Sequence, residues 1–168
     1  MRDSDVLDNN PRVSRSALEA MHGQVFGWAL SRCNYEQELA EDLVQQAYVE
    51  LLTGRARFDG ESSLQTFVFS VVQNLASGRF RRRDTHLRLV HQAAPADDVQ
   101  QFIEPAQNEG VWEAVRALPA RQRDIVELVF CRDLTVDEAS RVMGVSAGTG
   151  RVHYDRAKKA LREKLKHE

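Results

Sequence analysis

The string from Thr135 to Tyr154 combines residue types and spacings suited to recognising a polyanion. Ser140 is small enough for two helices to approach, Gly144 can take a left-handed turn, Val145 anchors that turn in a core, and Ser146 can cap the next helix. This is the spacing of a helix-turn-helix, whose second helix lies in the major groove with its first residues at base edges and its basic half near phosphates. Any helix–glycine–helix corner imitates the pattern, so the string alone only favours DNA binding. Upstream, Glu38, Glu41, Asp42 and Gln45 fall at i, i+3, i+4 and i+7 and share one exposed helix face, for which plain solvation is the ordinary fate. No nucleophile–base pair, metal-ligand cluster or phosphate cradle stands out. The expectation is a binding protein, not an enzyme, with no cofactor and no metal.

Charge is segregated along the chain. The total is −2, from 23 Lys and Arg against 25 Asp and Glu in 168 residues. Residues 36–50 and 92–113 each carry five acids and no Lys or Arg. Residues 78–91 carry five arginines against one acid, and residues 147–167 carry seven bases against two acids. Two separated basic patches suit two contacts with a polyanion. Basic runs at helix ends also complement the helix dipole, so charge alone leaves the choice open.

These residues must be positioned by helices, because no alternating strand, internal repeat or glycine-rich phosphate loop is found. With 168 residues, 42% apolar and 29% charged, the chain has the make-up of a folded protein of one domain or two small ones, which excludes large multi-domain enzymes. The fold class is all-α: two small helical domains joined by a flexible acidic linker, the second containing the helix-turn-helix. A helix is predicted over 17–33 (Leu18, Met21, Val25, Trp28, Ala29 inward) and another over 36–52 (Ala40, Leu43, Val44, Ala47, Leu51, Leu52 inward). After a loop over 53–63, a long helix over 63–88 is predicted to bury Leu64, Phe67, Val68, Val71, Val72 and Leu75. Thr66, Ser70, Asn74, Ser77 and Arg81 lie on its outer face.

Periodicity stops over 91–108, where Pro95 and Pro105 stand among Ala, Gln and Asp, and a linker is placed there. Helices then follow to Leu118, from Pro119 to about Cys131, over 136–143 with Thr135 as cap, and over 147–166. Domains are accordingly placed at 14–90 and 111–168, with a linker over 91–110. Cys33 and Cys131 are far apart in apolar helical patterns and read as two reduced core thiols. No stretch reaches the roughly 18 to 20 apolar residues of a membrane span. The N-terminus is acidic where a signal peptide is basic, so a cytoplasmic protein without membrane insertion is expected.

Residues 16–90 and 111–166 resemble a bacterial sigma factor of the extracytoplasmic function (ECF) group. The resemblance rests on Ala40-Glu41-Asp42-Leu43-Val44-Gln45, on Phe58 through Asn74-Leu75 followed by Arg81-Arg82-Arg83, and on Ala117-Leu118-Pro119-Ala120-Arg121-Gln122-Arg123. The order of acidic helix, loop, aromatic-containing helix, arginine cluster, linker and helix-turn-helix is more specific than any one motif.

The resemblance implies that Glu38, Glu41, Asp42 and Gln45 bind the β′ clamp helices of core RNA polymerase, and that the β flap is a second contact. It implies that the loop Phe58 to Ser63 traps a base flipped from the minus 10 element, with Asp59, Ser62 and Ser63 as its polar contacts. Asn74 and Ser77 would face the opened strands, and Arg81, Arg82 and Arg83 their backbone. Phe67 and Phe69 are aromatic candidates for stacking, Phe67 falling on the apolar stripe. Ser146, Thr149, Arg151, His153, Arg156 and Lys159 would serve the minus 35 element, the first two toward phosphate, Arg151 and His153 toward the groove, and the last two toward flanking backbone. Promoter DNA and an anti-sigma factor are implied partners, with the protein near the nucleoid on polymerase or near the membrane when an anti-sigma factor holds it.

The chain departs from the family pattern at Leu39, Phe67, Gly78, Gly150 and His153. Gly78 inside a helix costs about 1 kcal/mol relative to Ala, and Gly150 is expected to remove a core anchor. Two other classes remain: a helix-turn-helix repressor or activator, which needs no acidic face, and a sequestering interaction module, which uses no promoter.

Overall fold

The computed structural model describes residues 12–87 and 109–167, side chains 80–87 excepted, and every regular element among them is helical. The chain divides into two compact units, residues 1–101 and 102–168. The predicted linker over 91–108 lies outside the described residues.

In the first unit, α1 (Arg15–Ala20) is capped by Ser14, whose Oγ accepts from Ala17 N at 3.2 Å. The single helix predicted over 17–33 is two, because Met21 (φ −103°, ψ 5°) leaves helical geometry before α2 (His22–Arg32). Gly23, two residues on, has little helix propensity to resist the break. Asn34 and Tyr35, both at positive φ, turn the chain into α3 (Gln37–Leu52). Ala40, Leu43, Val44, Ala47 and Leu51 are buried as predicted, and Leu52 is half-buried.

The next helix, α4 (Leu64–Leu87), packs against both α2 and α3. Its buried arc is therefore wider than one stripe and rotated from the prediction. Thr66, Val68, Phe69, Val71, Val72 and Ala76 are buried, while Leu64, Phe67 and Leu75 are only half-buried. Phe69 is fully enclosed with its ring centroid 6.4 Å from that of Trp28, so it is core and unavailable to bases. Thr66, assigned above to the outer face, is 1% exposed, and its hydroxyl accepts from Ser63 Oγ at 2.9 Å. A buried hydroxyl is tolerated because it is bonded.

The second unit begins with α5 (Glu109–Arg116), whose Trp112 and Val115 pack with Leu118, Val126 and Ala157. Pro119 precedes α6 (Ala120–Val126), which runs into a π-helical turn, Glu127–Cys131. The α-helix predicted to reach Cys131 thus widens in its last five residues, closed by the Arg132 N–H on the Glu127 carbonyl at 3.2 Å. Then come α7 (Val136–Met143) and α8 (Ala147–Leu165), with bounds within a residue of those predicted. Cys33 and Cys131, read above as core thiols, are both only half-buried and so are not core residues.

Candidate nucleic-acid interface

The corner between α7 and α8 is specified residue by residue. Thr135 and Glu138 form a capping box, Glu138 N donating to Thr135 Oγ1 at 3.1 Å and Thr135 N to Glu138 Oε2 at 2.8 Å. Gly144 takes the left-handed conformation (φ 68°), and Val145 N reaches back to the Ser140 carbonyl at 3.0 Å, the closure of a Schellman turn. Val145 itself is half-buried, a weaker anchor than predicted.

Ser140 faces Gly150 across the helix pair. A Cβ at position 150 would overlap the Ser140 hydroxyl, lie 2.9 Å from Ser140 Cβ and stand 3.5 Å from Ile125 Cδ1. Gly150 is therefore no lost anchor; it permits the backbones to meet where a side chain would hold them apart. Ser140 Oγ donates to the Val136 carbonyl at 2.6 Å, so the buried hydroxyl is satisfied within α7.

This corner presents one face of α8. Ser146, Thr149, Arg151, Arg156 and Lys159 are exposed, whereas His153 is half-buried at the margin of the packed stripe. Ser146 and Thr149 hydroxyls bond each other at 2.9 Å, and Ser146 Oγ accepts from Thr149 N at 3.1 Å, so both serve the helix start. Arg151 Nη2 lies 3.3 Å from Asp137 Oδ1 on α7, with both side chains 63% exposed. Sequence reasoning missed Val152, which is 46% exposed on the side of α8 opposite Gly150 and Ala157. An apolar residue out of phase with the buried stripe is the signal that would have found it. Such a side chain at a base edge suits a thymine methyl.

The same unit carries an apolar groove of about 380 Å³ lined by Phe130, Leu161 and Leu165 and fringed by Lys158, Arg162 and Lys166. Phe130 is 60% exposed, and Lys158 sits 4.4 Å from the Tyr154 ring centre. Burial pushes the neighbouring Cys131 thiol above its ordinary range, and the Glu127 carboxylate adds to that.

In the first unit, α3 places Glu38, Glu41, Asp42 and Gln45 together on an exposed face. Gln37 Nε2 donates to Glu41 Oε1 at 3.3 Å, and among the described residues no cation pairs with these acids. The loop before α4 is ordered by short-range bonds. Asp59 Oδ1 accepts from Glu61 N at 3.0 Å, Ser62 Oγ donates to the Ser63 carbonyl at 3.2 Å, and Ser63 caps α4 by accepting from Thr66 N at 3.1 Å. The Asp59 carboxylate is exposed, and Phe58 pairs with the half-buried Phe67 at 5.3 Å between ring centroids. Asn74 is exposed, and Ser77 is half-buried, in bonding distance of Gln73 Nε2. Arg81, Arg82 and Arg83 belong to α4, but their side chains lie outside the described residues. Arg79, counted above in the basic patch, is half-buried and donates to Gln46 Oε1 at 2.9 Å, a tie between α4 and α3.

Among the described residues no cluster of His, Cys, Asp or Glu is arranged to hold a metal ion, and no helix is long and apolar enough to cross a membrane.

Two family models match the chain: Sigma-70 region 2 over residues 17–86 and Sigma-70, region 4 over residues 109–161. The ECF RNA polymerase sigma factor SigF of Caulobacter vibrioides is 27% identical over 165 residues, spanning 95% of this chain and 89% of the relative. The RNA polymerase sigma factor CarQ of Myxococcus xanthus is 24% identical over 88% of this chain and 87% of its own length. Among solved structures, the sigma factor RpoE from Bartonella quintana, co-crystallised with the anti-sigma factor NepR, superposes with a TM-score of 0.70 at 22% identity. That match covers 90% of this chain and 96% of that one.

Proposed function

Since the chain belongs to the ECF group of sigma-70 factors, which bind RNA polymerase and direct it to promoters, we propose a division of labour among its surfaces. Residues 14–90 act as the region 2 domain and 111–168 as the region 4 domain, the linker placed over 91–110 giving way in its last two residues to α5. The exposed face of Glu38, Glu41, Asp42 and Gln45 binds the β′ clamp helices, where acids meet a basic partner. The loop with Asp59, Ser62 and Ser63 traps an unpaired minus 10 base. Ser63 contributes by fixing the start of α4, since its hydroxyl is engaged there. Asn74, Ser77, Arg81, Arg82 and Arg83 line and hold the opened strands. The Phe58–Phe67 pair supplies the aromatic surface in place of the enclosed Phe69.

In the second unit, Arg151, His153 and the added Val152 read the minus 35 element. Ser146, Thr149, Arg156 and Lys159 meet its backbone. The groove at Phe130, Leu161 and Leu165 takes the β flap, its apolar floor and basic rim fitting an amphipathic acidic segment. The chain performs no catalysis of its own; the polymerase supplies it. An anti-sigma factor is a proposed further partner, as in the complex of the Bartonella relative. The proposed location is the cytoplasm, on the nucleoid when polymerase is bound and near the membrane when an anti-sigma factor holds the chain there.

The observation that carries this division is the acidic face of α3, which no cation of the described residues neutralises. An ordinary helix-turn-helix regulator has no use for it. Asp42→Arg tests it: affinity for core polymerase, read by fluorescence anisotropy, falls at least tenfold. Thermal unfolding and duplex binding by the second unit stay unchanged, because Asp42 is exposed. Unchanged polymerase affinity overturns the assignment.

A further inference from the structure

Arg12 precedes residue 17, where the match to region 2 begins. It is nonetheless tied to the loop assigned above to base capture. Its guanidinium Nη1 donates to the Asp59 carbonyl at 2.6 Å, a short charge-assisted bond across 47 residues of sequence. The same nitrogen lies 3.0 Å from where a Cβ on Gly60 would stand, and Gly60 has φ +85°. The guanidinium thus rests on the backbone at the point where the loop turns through the left-handed region. Val13, next in the chain, is 1% exposed and pins this segment to the unit.

Two further bonds of the loop are local. The Asp59 carboxylate bonds Glu61 N, and Ser63 bonds Thr66 N, so neither ties the Asp59–Gly60 peptide to another element. A peptide beside glycine rotates easily when nothing holds its carbonyl. Without the Arg12 bond, the ψ of Asp59 and the φ of Gly60 can change, and with them the placement of Asp59 relative to the start of α4.

We propose that Arg12 is a positioning residue for base capture: by holding the Asp59 carbonyl it fixes the loop in the conformation that receives an unpaired minus 10 base. The inference rests on the reading of that loop given above. Extruding a base from a duplex is uphill, so a loop ordered beforehand keeps more of its binding energy for the trapped base.

The test uses holoenzyme made with bacterial core polymerase and a promoter mapped by run-off transcription. Wild type, Arg12→Ala and Arg12→Lys are compared on the duplex promoter and on the same promoter with a pre-opened bubble carrying each of the four bases at the captured position. Arg12→Ala is expected to slow opening of the duplex about fivefold. It also flattens the preference among the four bubble bases, with core-polymerase affinity and unfolding temperature unchanged. Arg12→Lys, which keeps a cationic donor without the fork, restores part of the preference. A wild-type base preference in Arg12→Ala overturns the proposal while leaving the loop assignment standing. An equal loss on every template with a lowered unfolding temperature also overturns it, in favour of a role in folding. Absence of any preference in the wild-type holoenzyme removes the loop assignment, and this proposal with it.

Discussion

Gly150→Ala should destabilise the second unit, although alanine is ordinarily the better helix former. Propensity favours the substitution by about 1 kcal/mol. Against that, the new methyl overlaps Ser140 Oγ and lies 2.9 Å from Ser140 Cβ, which belongs to the packed face of α7 and cannot swing aside. Overpacking of this kind costs about 1 to 3 kcal/mol. Displacing the hydroxyl from the Val136 carbonyl loses about 1 kcal/mol more. The net expectation is a loss of about 1 to 3 kcal/mol, or roughly 5 to 20 °C in the unfolding temperature of a unit this small. Each unit holds one tryptophan, Trp28 and Trp112, so a Trp28→Phe background leaves Trp112 fluorescence to follow urea unfolding of the second unit alone. Adding Ser140→Gly to Gly150→Ala removes both overlapping atoms and should return about 1 to 2 kcal/mol beyond the sum of the single effects. Gly78→Ala is the control, because nothing stands within 4 Å of a Cβ there. It should stabilise the first unit by about 0.5 to 1 kcal/mol. A neutral or stabilising Gly150→Ala, or no coupling to Ser140→Gly, would refute the close-approach argument.

Other outcomes follow from the same geometry. Burial pushes the Tyr48 phenol from 10.0 up to about 12. Its stabilising contribution is complete below pH 10 and is lost as pH rises from 10 toward 12, while the unfolded phenol ionises first. Urea midpoints of the first unit, read by Trp28 fluorescence, should fall over that range, and less so in Tyr48→Phe. Thr135→Ala breaks the capping box and should cost the second unit about 1 kcal/mol, checked by its urea midpoint. Arg156→Ala should weaken duplex binding evenly across sequences and lower the salt slope by about one, whereas Arg151→Ala should change which bases are preferred. Binding isotherms at several salt concentrations on a panel of minus 35 sequences separate the two.

Much of this was legible in the sequence wherever the determinants are local. The caps Thr135 and Ser146, the turn glycine Gly144 and the one-sided apolar stripe of α3 each set their element from neighbours within about four residues. Exposure of Glu38, Glu41, Asp42 and Gln45 follows from the same stripe. What depends on a second element was not legible. The arc of α4 widened because two helices cover it, which enclosed Phe69 and Thr66 and left Phe67 to Phe58. Gly150 is explained only by Ser140 across the helix pair, and Arg79 was counted as free charge although it bonds Gln46. Within the candidate site, residue types pointed to Ser63, Ser146 and Thr149 without revealing that their hydroxyls are engaged in starting α4 and α8. Val152 was marked only by falling out of phase with the buried stripe of α8, and Arg12 carried no recognisable pattern at all.

The central claim is tested most directly by run-off transcription on fragmented DNA of the source genome with bacterial core polymerase, comparing the wild-type chain with Asp42→Arg and with the Arg81→Ala, Arg82→Ala pair. Transcripts should start at discrete sites only when the chain is present. Asp42→Arg should abolish them by loss of polymerase binding, and the arginine pair by loss of opening, with recovery on a pre-opened template. If polymerase is neither bound nor redirected while the chain still binds specific duplex DNA, the account is contradicted and the molecule acts as an ordinary helix-turn-helix regulator.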